Sequence, residues 1–412
     1  MNQPIKTHLS PRSAAGLSLR WVLVLLALAV GLAFVAKGYH LFQATMVLAY
    51  AIALLGLNIL TGYNGQISLG HGAFFALGAY VAAILMEHAG APYWATVPAA
   101  GVFCLIVGYL FGRPALKLEG LYLALATFAL GVAMPQLLKY KHLEAWTGGV
   151  QGIVLMKPDA PFGLPLTQDQ WLYLFALLVA VVMFVIAHNL LQSGSGRAMR
   201  AIRDHAMAAE AMGIDNRHYK SMSFGVSAAY TGVGGALSAI AVQFVSPDSF
   251  TLFLSISLLV GIVVGGVGTL WGAFFGALFI MFVPNMAEKV SKAAPWAVYG
   301  VVLIAIMFAM PGGVMGLLRK IRQRRNERSG CGATPARQIR QFRRCCKGLA
   351  CLPLPWSCPM VQVALVIHPI HNSMEIVHGQ NFRCRIAAFF QARRRSAVGR
   401  HPVVLRAGAK KI

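Results

Sequence analysis

Charge is what this sequence has least of. Only 12% of its 412 residues are Asp, Glu, Lys or Arg, and just 12 of them are acidic, against 58% hydrophobic residues. A soluble globular domain carries about 25% charged residues, so an ordinary water-facing fold is excluded and a bilayer is the natural solvent. The chain has no Gly-x-x-x-x-Gly-Lys-Ser/Thr loop to cradle phosphates, so it does not hydrolyse ATP by that device. Paired carboxylates beside histidine are also missing, since His71, His88, His142 and His188 are scattered over different segments, and this argues against a membrane enzyme.

What the sequence has in abundance is long apolar runs. Crossing a hydrocarbon core of about 30 Å takes a helix of roughly 17 to 25 apolar residues. Such stretches lie near 20–36, 41–60, 73–87, 93–111, 120–138, 171–192, 222–244, 250–264, 269–284 and 296–310. Gly265, Gly266 and Gly268 interrupt the region 250–284, which reads either as two short spans or as one long span with a re-entrant segment. The fold class expected is therefore all-α, a polytopic transmembrane bundle of about eight to ten spans. The first span shows no cleavage pattern of a signal peptide and is expected to stay.

Mid-span Asp, Glu, Lys and Arg are absent; Glu87 and Glu119 sit at span ends. Carriers coupled to protons or sodium keep such residues at membrane depth, so a secondary transporter is disfavoured. So is a channel built on charged rings.

Ten spans with the N-terminus inside put Lys6, Arg12, Arg20, Arg113, Lys117, Arg197, Arg200, Arg203, Arg217, Lys220, Arg319, Lys320, Arg322, Arg324 and Arg325 on one face. Lys37, Lys139, Lys141, Lys157, Lys289 and Lys292 fall on the other. The basic-rich face is expected to be cytoplasmic, which places both termini in the cytoplasm.

Two connections exceed a turn. Residues 139–170, on the outer side, are rich in Gly and Pro and offer a docking surface for an extracytoplasmic partner. Residues 193–221, on the inner side, contain a basic helical segment from Arg197 to Met212, closed by Gly213 where a left-handed cap is cheapest. Met199, Ile202, Ala206, Ala209 and Met212 recur at helical steps, giving an apolar face. Two readings stand for it: knobs for a groove on a partner protein, or a juxtamembrane helix held by anionic lipid.

Glycines gather in two blocks, around Gly62, Gly65, Gly70, Gly72 and Gly78 and around Gly261, Gly265, Gly266, Gly268, Gly272 and Gly276. Close helix packing is favoured for most of them over unwound backbone lining a path. Gly72-Ala-Phe-Phe75 recurs as Gly272-Ala-Phe-Phe275, with Gly65 matching Gly265, a candidate trace of internal duplication. Candidates for a pathway are the polar Asn58, Asn64, Gln66, Ser68 and His71 with Gly65, Gly70 and Gly72 in the first block, Gly265, Gly266 and Gly268 in the second, and Gln243 in the span between. Hydrogen bonds to neighbouring helices explain each polar side chain equally well.

The segment Thr61-Gly-Tyr-Asn-Gly-Gln-Ile-Ser-Leu-Gly-His-Gly-Ala-Phe-Phe-Ala-Leu-Gly-Ala-Tyr80 is similar to the hallmark of the branched-chain amino-acid permeases of ABC importers, the LivM/LivH type. Gly265-Gly-Val-Gly-Thr-Leu-Trp-Gly-Ala273 resembles a second block of that family. Gly196-Arg-Ala-Met-Arg-Ala-Ile-Arg-Asp-His-Ala-Met-Ala-Ala-Glu-Ala-Met-Gly213-Ile-Asp215 resembles the coupling loop of such permeases, whose Glu-Ala-Ala order is here Ala209-Glu210-Ala211.

The resemblance covers about residues 20–320. It implies a bacterial inner-membrane machine with a second permease subunit, two cytoplasmic ATPase subunits that bind ATP and magnesium, and a periplasmic binding protein. Coupling to the ATPase would then fall on Arg200, Arg203, Asp204, Ala209, Glu210, Ala211 and Gly213. This chain itself would bind no cofactor and no metal. The implied solute is a branched-chain or related neutral amino acid, with urea or a short amide as the alternative. An ATP-independent or receptor-like membrane protein is the reading that packing glycines leave open.

Residues 1–19 read as a cytoplasmic segment and 20–320 as the permease domain. Residues 321–412 read as a basic, Cys-rich extension expected to be disordered. Six of the seven cysteines lie beyond residue 326, with no Cys-x-x-Cys pair, and 15 Lys/Arg there face only Glu327 and Glu375, a net +13 of the total +24. Arg343-Arg344 and Arg393-Arg-Arg395 lack a periodic framework, so membrane lipid and not nucleic acid is the expected partner.

Overall fold

The computed structural model describes residues 19–115, 120–158, 166–290, 295–310 and 312–330. The chain divides into two units, Met1–Gly332 and Ala333–Ile412, and every described residue lies in the first. Most of the expected extension, with its cysteines, lies outside the described residues.

Each of the ten expected apolar stretches is helical. They are α1 (Leu19–Val35), α2 (Gly38–Asn58), α3 (His71–Glu87), α4 (Tyr93–Ala115), α5 (Leu121–Leu138), α7 (Gln168–Gln192), α10 (Asn216–Val242), α11 (Leu252–Gly265), α12 (Leu270–Val290) and α13 (Pro295–Ala309). Among the described residues seven stretches are long and apolar enough to cross a membrane: Gly38–Tyr63, Tyr93–Pro114, Gln168–Gln192, Asn216–Val242, Pro247–Gly265, Leu270–Lys289 and Tyr299–Ile321. His71–Glu87 and Tyr122–Leu138 are apolar but shorter. The protein is an all-α polytopic bundle.

Short helices lie between them, α6 (Glu144–Thr147), α8 (Gly194–Asp204) and α9 (Ala206–Ala211), and the 18-residue α14 (Gly313–Gly330) follows α13. Ile153–Val154 and Phe244–Val245 form one antiparallel pair, with Ile153 opposite Val245. That pair lies beside the last residues of α10, whereas α9 leads into its first. A 27-residue helix rises about 40 Å, so the two features mark opposite ends of the bundle.

The core is built on α10. Its most apolar stretch is 83% buried, against 6% for Tyr299–Ile321 at the periphery. Asp215 starts it by accepting from the Arg217 and His218 amides at 2.9 and 3.2 Å, filling donors that a helix N-terminus leaves open. Small residues then let backbones touch. A Cβ on Gly235 would lie 2.0 Å from the Phe75 carbonyl oxygen of α3, and one on Gly234 2.6 Å from that of Ala49 in α2. Without hydrophobic drive between helices in lipid, such close contact is what holds them. Gly78 of the first block packs the same way, since a Cβ there would lie 2.1 Å from the Gly232 carbonyl oxygen of α10.

The interruption at Gly265–Gly268 resolves into two helices, α11 and α12, joined by a tight loop. Gly72 and Gly272 occupy like settings: each lies in the first turns of its helix, α3 or α12, and each packs on α11. The Gly72 amide donates to Ser255 Oγ at 3.0 Å, and a Cβ on Gly272 would lie 3.0 Å from the Gly265 carbonyl oxygen. The proposed pairing of Gly65 with Gly265 does not extend to conformation. Gly265 ends α11, and the loop glycine that shares the φ of Gly65, +76°, is Gly268 at +74°.

The basic segment expected as one helix from Arg197 to Met212 is broken. His205, at φ −159° and ψ 95°, is extended and separates α8 from α9. The apolar face is divided accordingly. Met199, Ile202 and Ala209 are buried within the protein, and Met207 and Met212 are exposed.

Candidate functional site

The two Gly-rich blocks, 200 residues apart in sequence, meet at the end of the bundle that carries α8 and α9. After Asn58, α2 continues as one π-helical turn, Ile59–Tyr63, a distortion frequent at functional sites. Asn58 is buried and reaches the loop between α11 and α12. Its Nδ2 donates to the Thr269 carbonyl at 2.7 Å, and its Oδ1 accepts from the Gly268 amide at 2.9 Å. One side-chain amide thereby satisfies two backbone groups of a loop that has left helical geometry. Gly62 fits against the same point, because a Cβ there would come within 2.3 Å of Asn58 Oδ1 and 2.5 Å of the Gly268 nitrogen.

From the outside of this junction, α8 contributes Arg203. Its Nη1 donates to the Gly62 carbonyl at 2.8 Å, and Nε and Nη2 both donate to Asp204 Oδ1 at 3.0 and 2.9 Å. The arginine stem crosses Gly65, where a Cβ would lie 2.9 Å from Arg203 Cγ. The same glycine has positive φ, which only Gly adopts without strain.

Deeper in the bundle a second polar group fixes the start of α3. His71 is fully buried. The Ser227 hydroxyl donates to the Gly56 carbonyl at 2.7 Å, so its oxygen accepts from His71 Nε2 at 2.7 Å; Ser68 Oγ then donates to Nδ1 at 2.8 Å. The hydrogen-bond network thus assigns a neutral ring with the proton on Nε2. The loop before α3 and the first turn of α3 hang from three further hydroxyls: Ser223 Oγ takes the Asn64 Nδ2 donor, Thr127 Oγ1 takes the Leu69 amide at 3.0 Å, and Ser255 Oγ takes that of Gly72. Asn64 Oδ1 is buried with no hydrogen-bond partner.

Asn58, Asn64, Gly65, Ser68, His71, Gly72 and Gly268 are thus brought together. Gly70 belongs here too, since a Cβ on it would lie 2.2 Å from the Thr127 carbonyl oxygen. Gln66 joins through its backbone, donating to Leu60 and accepting from Thr61 Oγ1. Gly266, at φ +115°, meets the N-terminus of α14 through Gly313. Gln243 stands apart: it is the C-cap of α10, at φ 64°, and its carbonyl accepts from the Leu155 amide at the opposite end of the bundle.

Of the expected coupling residues, Arg200 faces its own chain, donating to the Gly196 and Leu191 carbonyls at the α7–α8 corner. Arg203 with Asp204 meets the junction just described. Glu210 and Ala211 are exposed on α9 and Ala209 is buried. Gly213 has φ +84° with open space beside it, as its capping role requires.

The partners that sequence reading missed are the hydroxyls of Ser223, Ser227, Ser255 and Thr127 and the backbone carbonyl of Thr269. A signal existed for two of them. Ser223, Ser227 and Thr231 recur every fourth residue and so mark one face of α10.

Among the described residues no Asp, Glu, Lys or Arg is buried, and no group of His, Cys, Asp and Glu is placed to hold a metal. A bundle of apolar helices, tied at one end by hydrogen bonds between two unwound loops, is that of a polytopic membrane protein. A family model described as the branched-chain amino acid transport system permease component matches residues 39–311. The chain belongs to this family of membrane transport proteins.

It is 30% identical over 322 residues to the high-affinity branched-chain amino acid transport system permease protein LivM of Escherichia coli K12, covering 73% of this chain and 75% of the relative. It is 24% identical to LivH of Salmonella typhimurium over 65% of this chain and 91% of the relative. To BraD of Pseudomonas aeruginosa it is 22% identical over 68% and 96%. No solved structure matches the chain.

Proposed function

We propose that this chain is one of two permease subunits of an ATP-driven importer that carries branched-chain amino acids across a bacterial inner membrane. Membership in the permease family carries the reading. It is supported by buried spans free of charged side chains among the described residues, since an ion-coupled carrier keeps such groups at depth. ATP and magnesium would be held by two partner ATPases on the cytoplasmic side. There α9 offers Met207, Glu210 and Met212, all exposed. The opposite end, with the strand pair and exposed Trp146, Val154 and Met156, would face a periplasmic binding protein.

The test is uptake of radiolabelled leucine, with urea in parallel, by vesicles holding the complete transporter with and without ATP. ATP-dependent leucine uptake is expected. ATP-dependent urea uptake alone would replace the cargo, and uptake indifferent to ATP would overturn the importer reading.

A further inference from the structure

We propose that Arg203 and Asn58 form a relay that passes movement of α8 to the loop between α11 and α12, with Gly62 as the shared contact. The proposal rests on the importer reading above. It gives both residues roles unlike those their sequence context suggests: Arg203 acts on its own chain and not on an ATPase, and Asn58 positions a loop and does not meet solute.

The geometry is continuous. The α8 guanidinium is anchored to the carbonyl of Gly62 on one side and to Asp204 on the other. Three donors held in a rigid fork leave it little freedom to turn. The segment it grips is the π-helical turn that follows Asn58, and the Asn58 amide grips the next loop through both of its polar atoms.

Close packing removes slack. No side chain fits at Gly62, whose missing Cβ would overlap Asn58 Oδ1 and the Gly268 backbone, and the arginine stem rests directly on Gly65. Gly266, on the far side of the same loop, abuts Gly313 at the head of α14. A shift of α8 therefore displaces Gly62, Asn58 and the 266–269 loop together, while α10 behind them is held by backbone contact with α2 and α3. Interfaces packed this way have discrete arrangements and do not deform gradually. Arg203 and Asn58 are positioning residues in this account.

The test uses the complete transporter in vesicles and reads ATP hydrolysed per leucine imported. Arg203→Ala and Asn58→Ala are each expected to raise that ratio about tenfold, inside the roughly 5- to 150-fold span of ordinary coupling between sites. The double variant should be no worse than either single one, because both cut the same chain of contacts. Arg203→Lys, which keeps a donor for Gly62 but loses the fork, should recover part of the coupling.

A readout independent of transport is the maleimide reactivity of Val267→Cys, half exposed on the moving loop, in a chain whose tail cysteines are serine. ATP should change it in the parent and leave it unchanged with Arg203→Ala. An unaltered ratio in both single variants, a double effect equal to the product of the single ones, or an ATP response that survives Arg203→Ala would overturn the relay. If the parent transporter itself shows no ATP-driven uptake, the importer reading fails instead, and the relay with it.

Discussion

At the scale of single residues, glycine and histidine carry this structure in ways that can be separated by substitution. Gly235 and Gly213 look alike in sequence and differ in space. The first would drive a Cβ to 2.0 Å from the Phe75 carbonyl oxygen, and the second meets nothing within 4 Å. Gly235→Ala is therefore expected to prevent assembly of α10 on α3, seen as loss of a monodisperse detergent-solubilised protein. Gly213→Ala should cost only about 1 to 2 kcal/mol from its left-handed backbone, a small fall in thermal midpoint.

His71 bridges two hydroxyls on separate segments. Interhelical hydrogen bonds in membranes are worth about 0.6 to 2 kcal/mol each. His71→Ala is expected to lower stability by roughly 2 kcal/mol or more once the cavity is counted, measured by unfolding in detergent. A midpoint unchanged from the parent would remove His71 from the list of structural ties.

At the scale of elements, the basic segment shows where a pattern misleads. Residues 197–212 contain neither Gly nor Pro, and apolar positions recur at helical steps, so one helix is the natural reading. The break at His205 comes from contacts that pull its halves apart. Met199 and Ile202 bury α8 against the bundle while Arg203 bonds to Gly62, and Ala209 with the Asn216 amide on the Ala206 carbonyl holds α9.

The consequence is that Met207 and Met212 are the large apolar side chains this segment exposes. Replacing both with Ser should weaken capture of the ATPase subunits by about tenfold or more, as expected for losing two buried anchors, without lowering the amount of protein in the membrane. Glu210→Lys, on the same exposed face, should uncouple ATP hydrolysis from uptake. Retention of full affinity by the Met pair variant would mean that α9 is not the docking element.

At the scale of the whole molecule, transport is expected to depend on the bundle alone. The family match ends at residue 311, and α14 closes the described structure at Gly330. A chain stopped after residue 330 should take up leucine at the parent rate, and lost uptake at normal membrane levels would assign the extension a role.

The sequence by itself determined the class, because a helix must satisfy its backbone internally in lipid and so writes its length and apolarity directly into consecutive residues. Ten such stretches, their lack of buried charge and the two Gly-rich blocks were legible for that reason. Tertiary structure decided which residues work together. Asn58 and Gly268 are 210 positions apart, and Arg203 and Gly62 are 141 apart. Nothing local encodes either contact, since each joins segments that only the packing of α2 and α3 on α10 and of α8 on the π-helical turn brings together. A hydrogen bond across such distances leaves no periodicity in a chain, so the junction of the two loops is visible only in three dimensions.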